Sequence, residues 1–130
     1  MSADRPGAET PHLPRAAQID AYGNGGFRFG GMSHRGSLLC FPDGIWAWPV
    51  SSVDGFSEAD FAPVFERATE LDMFMIGCGD KPAPLPEELR QRFHDAHIFV
   101  DTMTTGAAVR TYNVLLAERR RIGAALIAVD

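Results

Sequence analysis

Two segments of this sequence set polar groups beside glycines in a way that suits a negatively charged ligand. One is Gly77-Cys78-Gly79-Asp80-Lys81, directly after the apolar run Met73-Phe74-Met75-Ile76; the other is Thr104-Thr105-Gly106, followed by Arg110 and Asn113. In a parallel sheet, ligands bind beyond the carboxyl ends of the strands. If the strands before these segments are neighbours, one crevice gathers Gly77, Gly79, Asp80, Lys81, Thr104, Thr105, Gly106, Arg110 and Asn113. Arg110 and Asn113 lie three apart, on one helical face. The free N–H groups and dipole of a helix starting here favour an anion. Gly106 lets that anion approach the backbone. Lys81 and Arg110 supply charge, and a guanidinium grips a carboxylate or phosphate at two points. The expected chemistry is binding of a small anion or a peptide carboxylate. The same residues also have a purely structural use. Thr104 or Thr105 can cap the helix, Asp80 and Lys81 can pair within the loop, and Asn113 can tie down a neighbouring loop.

No catalytic constellation accompanies this cluster. There is no Gly-x-Ser-x-Gly elbow, and Ser37 reads as an ordinary strand residue. Gly77-x-Gly79 lacks the third glycine of a dinucleotide fingerprint, and the glycines from Gly23 to Gly31 are not followed by Gly-Lys-Ser/Thr. His12, His34, His94 and His97 show no metal-ligand spacing, so no metal and no cofactor are expected. Cys78 could be a thiolate activated by Lys81. With no histidine placed to serve it as a base, a buried thiol is the plainer reading. Asp101 near Asp80 is the one carboxylate pair to consider, and solvated loop acids account for it.

The elements that must position these groups follow from periodicity. Residues 1–16 contain Pro6, Pro11 and Pro14 with little apolar content, and are expected to be a disordered leader before one domain over 17–130. From Ala17 to Val50 the pattern is β. Phe27 and Phe29 alternate with Arg28, the Gly23-Asn24-Gly25-Gly26 cluster marks a turn, and Pro42-Asp43-Gly44 turns Ser37–Phe41 into Ile45–Trp48. Trp46 and Trp48 sit two apart on one strand and point the same way. Their shared face is either core or a contact surface for another protein. Ser57 and Asp60 resemble a capping box for a helix whose apolar stripe is Phe61, Val64, Phe65, Ala68 and Leu71. Met73–Ile76 and His97–Val100 read as strands covered on both faces. Pro86 opens a second helix with Leu89 and Phe93 inward. A third helix spans about Ala107 to Arg120, and Ala124–Val129 closes the chain as a strand. Strand–helix–strand–helix–strand implies a largely parallel sheet. The fold class expected is therefore α/β, three-layered, with an N-terminal antiparallel meander.

Residues Gly77-Cys78-Gly79-Asp80-Lys81 also resemble a G-x-G-[DE]-[KR] signature. Thr105-Gly106-Ala107-Ala108, Arg110-Thr111-Tyr112-Asn113-Val114-Leu115 and Ala124-Ala125-Leu126-Ile127 resemble a second. Phe27, Gly36-Ser37, Pro42 and Trp48 fit more loosely. On these residues the chain, from about Ile19 to Ile127, is similar to a family of small α/β domains that includes a mitochondrial respiratory complex I assembly factor. The resemblance implies a three-layer α/β fold around a mixed sheet, and an assembly role with no established cofactor. The chain departs from the pattern at Thr104, Val109 and Arg119, where family members often carry Asp, Cys and Gly. No chemistry is therefore read from the first two positions.

Composition bounds the partners. The chain has 130 residues and a net charge of -5, and its only dense basic run, Arg119-Arg120-Arg121, complements a helix C-terminus. Nucleic acid is not an expected partner; a protein partner is, with a small anion as the alternative. No apolar run approaches the ~18 residues of a membrane helix, so no direct membrane insertion is expected. Two cysteines, Cys40 and Cys78, without a secretory signal before them, suit a reducing cytoplasmic setting. Attachment to the inner membrane would then run through a partner.

Overall fold

The computed structural model describes residues 11–130. In chain order the elements are β1 (Ala21–Gly23), β2 (Gly26–Phe29), β3 (Met32–Arg35), β4 (Ser37–Phe41), β5 (Gly44–Trp48), α1 (Ala62–Glu66), β6 (Met73–Gly77), α2 (Glu87–Asp95), β7 (Phe99–Met103), α3 (Thr105–Ala117) and β8 (Ile122–Leu126). A five-stranded sheet runs in the order β5-β4-β8-β6-β7. Strand β6 pairs in parallel with both β7 and β8, while β4 is antiparallel to β8 and to β5. The α/β expectation holds, with a parallel half and an antiparallel half. The meander divides: β4 and β5 join this sheet, and β1–β3 form a separate antiparallel sheet.

The continuous apolar runs are explained by burial on both faces. Leu39, Phe41, Phe74 and Ile76 face one core together with Phe61 and with Leu89 and Phe93 of α2. Their alternate neighbours Leu38, Cys40 and Met75 face a second core with Phe27 and Phe29 of β2 and with Ala108, Val109 and Tyr112 of α3. Helices thus cover one face, and α3 with the small sheet covers the other.

Three expectations need correction. The helix expected from Ser57 to Leu71 is broken into 3-10 turns at Glu58–Phe61 and Ala68–Glu70 around the short α1. Its start is as read, since Asp60 accepts the Ser57 N–H at 2.9 Å. Pro63, however, has no N–H to donate back along the chain and can occupy only the first turn of α1. Strand β7 is not covered on both faces but is the sheet edge, and Phe99 is 58% exposed. The leader expectation falls partly outside the described residues. Over 11–16 it is overturned, because Leu13 is buried and exchanges backbone hydrogen bonds with Ile45 at 2.9 and 3.3 Å.

Candidate functional site

Because β6 and β7 are neighbours, the segments leaving them do meet beside the start of α3. The Thr105 hydroxyl and several backbone groups of these segments are spent on one another. The buried Thr105 hydroxyl accepts the Gly79 N–H at 3.0 Å and donates to the Ile127 carbonyl at 2.6 Å. The Thr105 N–H donates to the Gly79 carbonyl at 2.9 Å, Ile127 N–H to the Gly77 carbonyl at 3.0 Å, and Cys78 N–H to the Met103 carbonyl at 2.8 Å. One knot thus ties the carboxyl ends of β6, β7 and β8. Gly77 is required by it, since a Cβ there would lie 2.9 Å from the Thr105 Cα. Gly79 is held at φ +100°, where only glycine is unstrained.

The open helix start expected for an anion is not found. Thr104 accepts the Ala107 N–H at 3.2 Å as N-cap, and its carbonyl takes the Ala108 N–H at 2.9 Å. Tyr22 packs its hydroxyl against Gly106, beside the Arg110 guanidinium. Asn113 is committed as well. Its amide accepts the Ile19 N–H at 2.8 Å and donates to the Ile19 carbonyl at 2.9 Å, pinning the strand before β1 to α3. Asp80, Lys81 and Arg110 are exposed, and among the described residues no ion pair joins Asp80 to Lys81.

The cysteines are placed as inert thiols. Cys78 is buried, and burial pushes its thiol up, with bonds from the Ala83 and Met103 backbone opposing that in part. Cys40 is fully enclosed and is pushed up to about 12 by burial.

Trp46 and Trp48 do share a face, but it is the core: each is 4% exposed. The contact-surface reading of this pair is corrected accordingly. The Trp48 indole N–H donates to the Asp60 carbonyl at 3.0 Å, and its ring packs on Phe56 and Phe61. Trp46 forms half of an aromatic sleeve around Arg67, whose guanidinium lies 4.4 Å from the Phe41 ring centre and 4.8 Å from that of Trp46. Asp43 holds the same guanidinium at 3.1 and 3.4 Å. Arg67 was not legible as special in the sequence, because nothing in its spacing links it to Asp43 in the turn before β5. A cavity of about 500 Å³ opens nearby, with Trp48, Leu39 and Pro63 as walls and His34, Arg35 and Asp60 at its polar parts.

Comparison with known proteins gives the kinship. A family model described as "Protein of unknown function (DUF498/DUF598)" matches residues 19–127. An uncharacterized protein of Rhodobacter capsulatus is 38% identical, over 90% of this chain and 89% of that one. NADH dehydrogenase (ubiquinone) 1 alpha subcomplex assembly factor 3 of Rattus norvegicus is 30% identical over 88% of this chain. The matched part is 62% of that relative, so the chain spans about three fifths of its length. The crystal structure of a protein described as an outer membrane protein of Bartonella henselae is similar with a TM-score of 0.87 at 50% identity, covering 92% of this chain and 100% of that chain. These matches agree with the resemblance carried by the two glycine-rich signatures, and on the extent of the family match the chain belongs to the family of proteins of unknown function designated DUF498/DUF598.

Proposed function

We propose that this chain is a non-enzymatic binding protein that helps assemble or mature a membrane-associated respiratory complex. One observation carries the reading: 30% identity to a protein named as an assembly factor runs across 88% of the chain. The likeness therefore involves the whole α/β domain and not one motif. The chemistry of the strand ends supports it. The Thr105 hydroxyl and the Gly79 N–H are taken up in joining strands, and both thiols are buried and pushed away from the thiolate.

The working location in this reading is the cytoplasmic side of the inner membrane, reached through the partner. No helix among the described residues is long and apolar enough to cross a membrane. The test is deletion of the gene in its own host, followed by blue-native electrophoresis of membranes stained for NADH dehydrogenase activity. Loss of the mature complex with accumulation of partial assemblies, restored by the gene in trans, is the expected result. An unchanged amount of active complex in the deletion strain overturns the proposal.

A further inference from the structure

We propose that Asn24 is a self-modification site, whose side-chain amide cyclises onto the Gly25 nitrogen and is lost as ammonia when the turn between β1 and β2 opens, and that the C-terminal segment holds that turn shut. This goes beyond the assembly reading and stands apart from it.

The chemistry begins with two neighbouring residues. The chain has two asparagines, Asn24 and Asn113. Asn113 is followed by the β-branched Val114, and its amide is tied to Ile19. Asn24 is exposed and is followed by Gly25, which puts no side chain beside its own nitrogen. That nitrogen can attack the Asn24 Cγ. The N–Cγ bond forms, the Cγ–Nδ2 bond breaks, and the Gly25 amide proton leaves with the side-chain nitrogen as ammonia. The product is a five-membered succinimide. Water opens it at one carbonyl to give aspartate, or at the other to give isoaspartate, in which the side chain has become main chain. No electrons are transferred, and water is the only co-reactant.

The folded turn forbids the attack. Gly23 and Gly26 are register partners, so Asn24 and Gly25 are the two central residues of a hairpin turn, at φ +53° and +79°. These are the angles of a type I′ turn, in which ψ of the first central residue is about +30°. At that ψ the Gly25 nitrogen lies nearly opposite the Asn24 Cβ across the Cα–C bond, whereas ring closure needs the two on the same side. The peptide unit between Asn24 and Gly25 must therefore swing through most of a half-circle.

That unit is held at both edges by distant parts of the chain. The Gly25 N–H donates to the Val129 carbonyl at 2.8 Å, and the Arg35 guanidinium donates to the Asn24 carbonyl at 3.4 Å. One step on, the Gly25 carbonyl accepts the Gly36 N–H at 2.8 Å. Val129 is itself fixed through its neighbours: the Ala128 N–H donates to the Ser37 hydroxyl at 3.0 Å, and Ile127 belongs to the strand-end knot. Rotation takes the Gly25 N–H off Val129 and the Asn24 carbonyl off Arg35 together, so cyclisation waits on local opening.

The two products differ in consequence. Aspartate still suits a positive φ. Isoaspartate adds a backbone atom to a two-residue turn, and Gly23 and Gly26 then lose their register. Strand β1 carries Tyr22, which packs against Gly106 at the start of α3, so that product loosens the small sheet from the helix.

The test follows the Asn24 peptide by mass spectrometry, reading the mass gain of amide converted to acid, in the full chain kept folded or unfolded in guanidinium chloride at neutral pH. Isomerisation at Asp43-Gly44 and Asp54-Gly55 leaves the mass unchanged and does not interfere. In the unfolded chain Asn24 should convert and Asn113 should lag behind it. In the folded chain conversion at Asn24 should be at least about tenfold slower, as expected when two hydrogen bonds must break first. Ser37→Ala, which removes the acceptor of the Ala128 N–H, should speed conversion in the folded chain about fivefold and leave the unfolded rate unchanged. In the unsubstituted chain, small additions of denaturant should raise Gly25 amide exchange and Asn24 conversion by the same factor, and this comparison decides the matter should Ser37→Ala fail to fold. Equal rates in folded and unfolded chains overturn the guard. An Asn24 amide that persists in the unfolded chain overturns the site. A folded Ser37→Ala chain that converts no faster, or exchange and conversion that diverge, overturns the part given to the C-terminal segment.

Discussion

Replacing Thr105 by valine tests the knot at the strand ends, because valine keeps the shape of threonine and deletes only the hydroxyl. That side chain is fully buried, accepting from Gly79 at 3.0 Å and donating to Ile127 at 2.6 Å. With valine, an N–H and a carbonyl lose their partner where water does not easily reach. Each orphaned group costs about 1–3 kcal/mol. Gly79 is half-buried and takes the lower part of that range, whereas Ile127 is 3% exposed and takes the upper. The sum is about 3 kcal/mol. Thr105→Ser keeps the hydroxyl and loses one methyl, at about 1 kcal/mol. The more hydrophobic variant should therefore be the less stable by about 2 kcal/mol. Urea unfolding can be followed by the fluorescence of Trp46 and Trp48, both buried. With a slope of roughly 1.5–2 kcal/mol per M, Thr105→Val should lower the midpoint by roughly 1.5–2 M with the slope unchanged. In a thermal scan the same loss is about 11 °C for a domain of this size. If the valine variant equals or exceeds the serine variant in stability, the hydroxyl does not bear the strand ends and the account of this site is wrong.

Stability should fall at alkaline pH. Burial pushes Cys40 from 9.0 up to about 12 and raises Tyr112 further above its ordinary value. The unfolded chain releases the Cys40 proton above about pH 9 while the folded chain keeps it, so the stabilisation is intact below that pH and declines by about 1.4 kcal/mol per pH unit up to about 12, with Tyr112 adding to the slope above about pH 10. Urea midpoints at pH 8, 9.5 and 10.5 check this, and a flat profile contradicts it. At the acidic side, His34 is held below its ordinary 6.5 by burial and then by the charge of His12, with a bond to the Ser37 backbone opposing. The two rings lie 4.5 Å apart. As pH drops through about 6.5, the unfolded chain takes a proton that folded His34 resists, so stability declines there. His12→Ala should raise the His34 titration midpoint in an NMR pH series, and an unmoved midpoint refutes the coupling.

Local patterning carried further than tertiary placement. Met73–Ile76 is a strand because its run is short and apolar, and both of its faces are covered. The run from His97 to Val100 has the same look, yet β7 lies at the edge. An apolar run states that a strand exists but not which neighbours it has. Trp46 and Trp48 share a face because side chains alternate along a strand. Whether that face met the core depended on α1 and the turn before it, which no spacing rule reaches. Strand β3 carries no apolar alternation at all and exists through the glycine turn before it, with Gly30 and Gly31 at positive φ. At the candidate site, glycines and threonines were recognisable as special. The partners that make them special, the Gly79 N–H and the Ile127 carbonyl, are backbone groups and leave no trace in residue types.

The glycine-rich signatures are the residues that carry the family resemblance, and the structure employs several of them in holding itself together. Gly77 admits Thr105, Thr105 joins Gly79 to Ile127, and Asn113 clamps Ile19. A relative sharing these residues therefore shares a way of closing a parallel sheet over helix α3, and that alone does not transfer a ligand or a reaction. Difference between relatives must then be sought where the knot makes no demand. Arg119 marks such a place. It sits in a backbone conformation that glycine would adopt more easily, as does His97 just after α2. The exposed side chains around the knot, Asp80, Lys81 and Arg110 among them, lie outside its demands in the same way and can differ without loosening the strand ends.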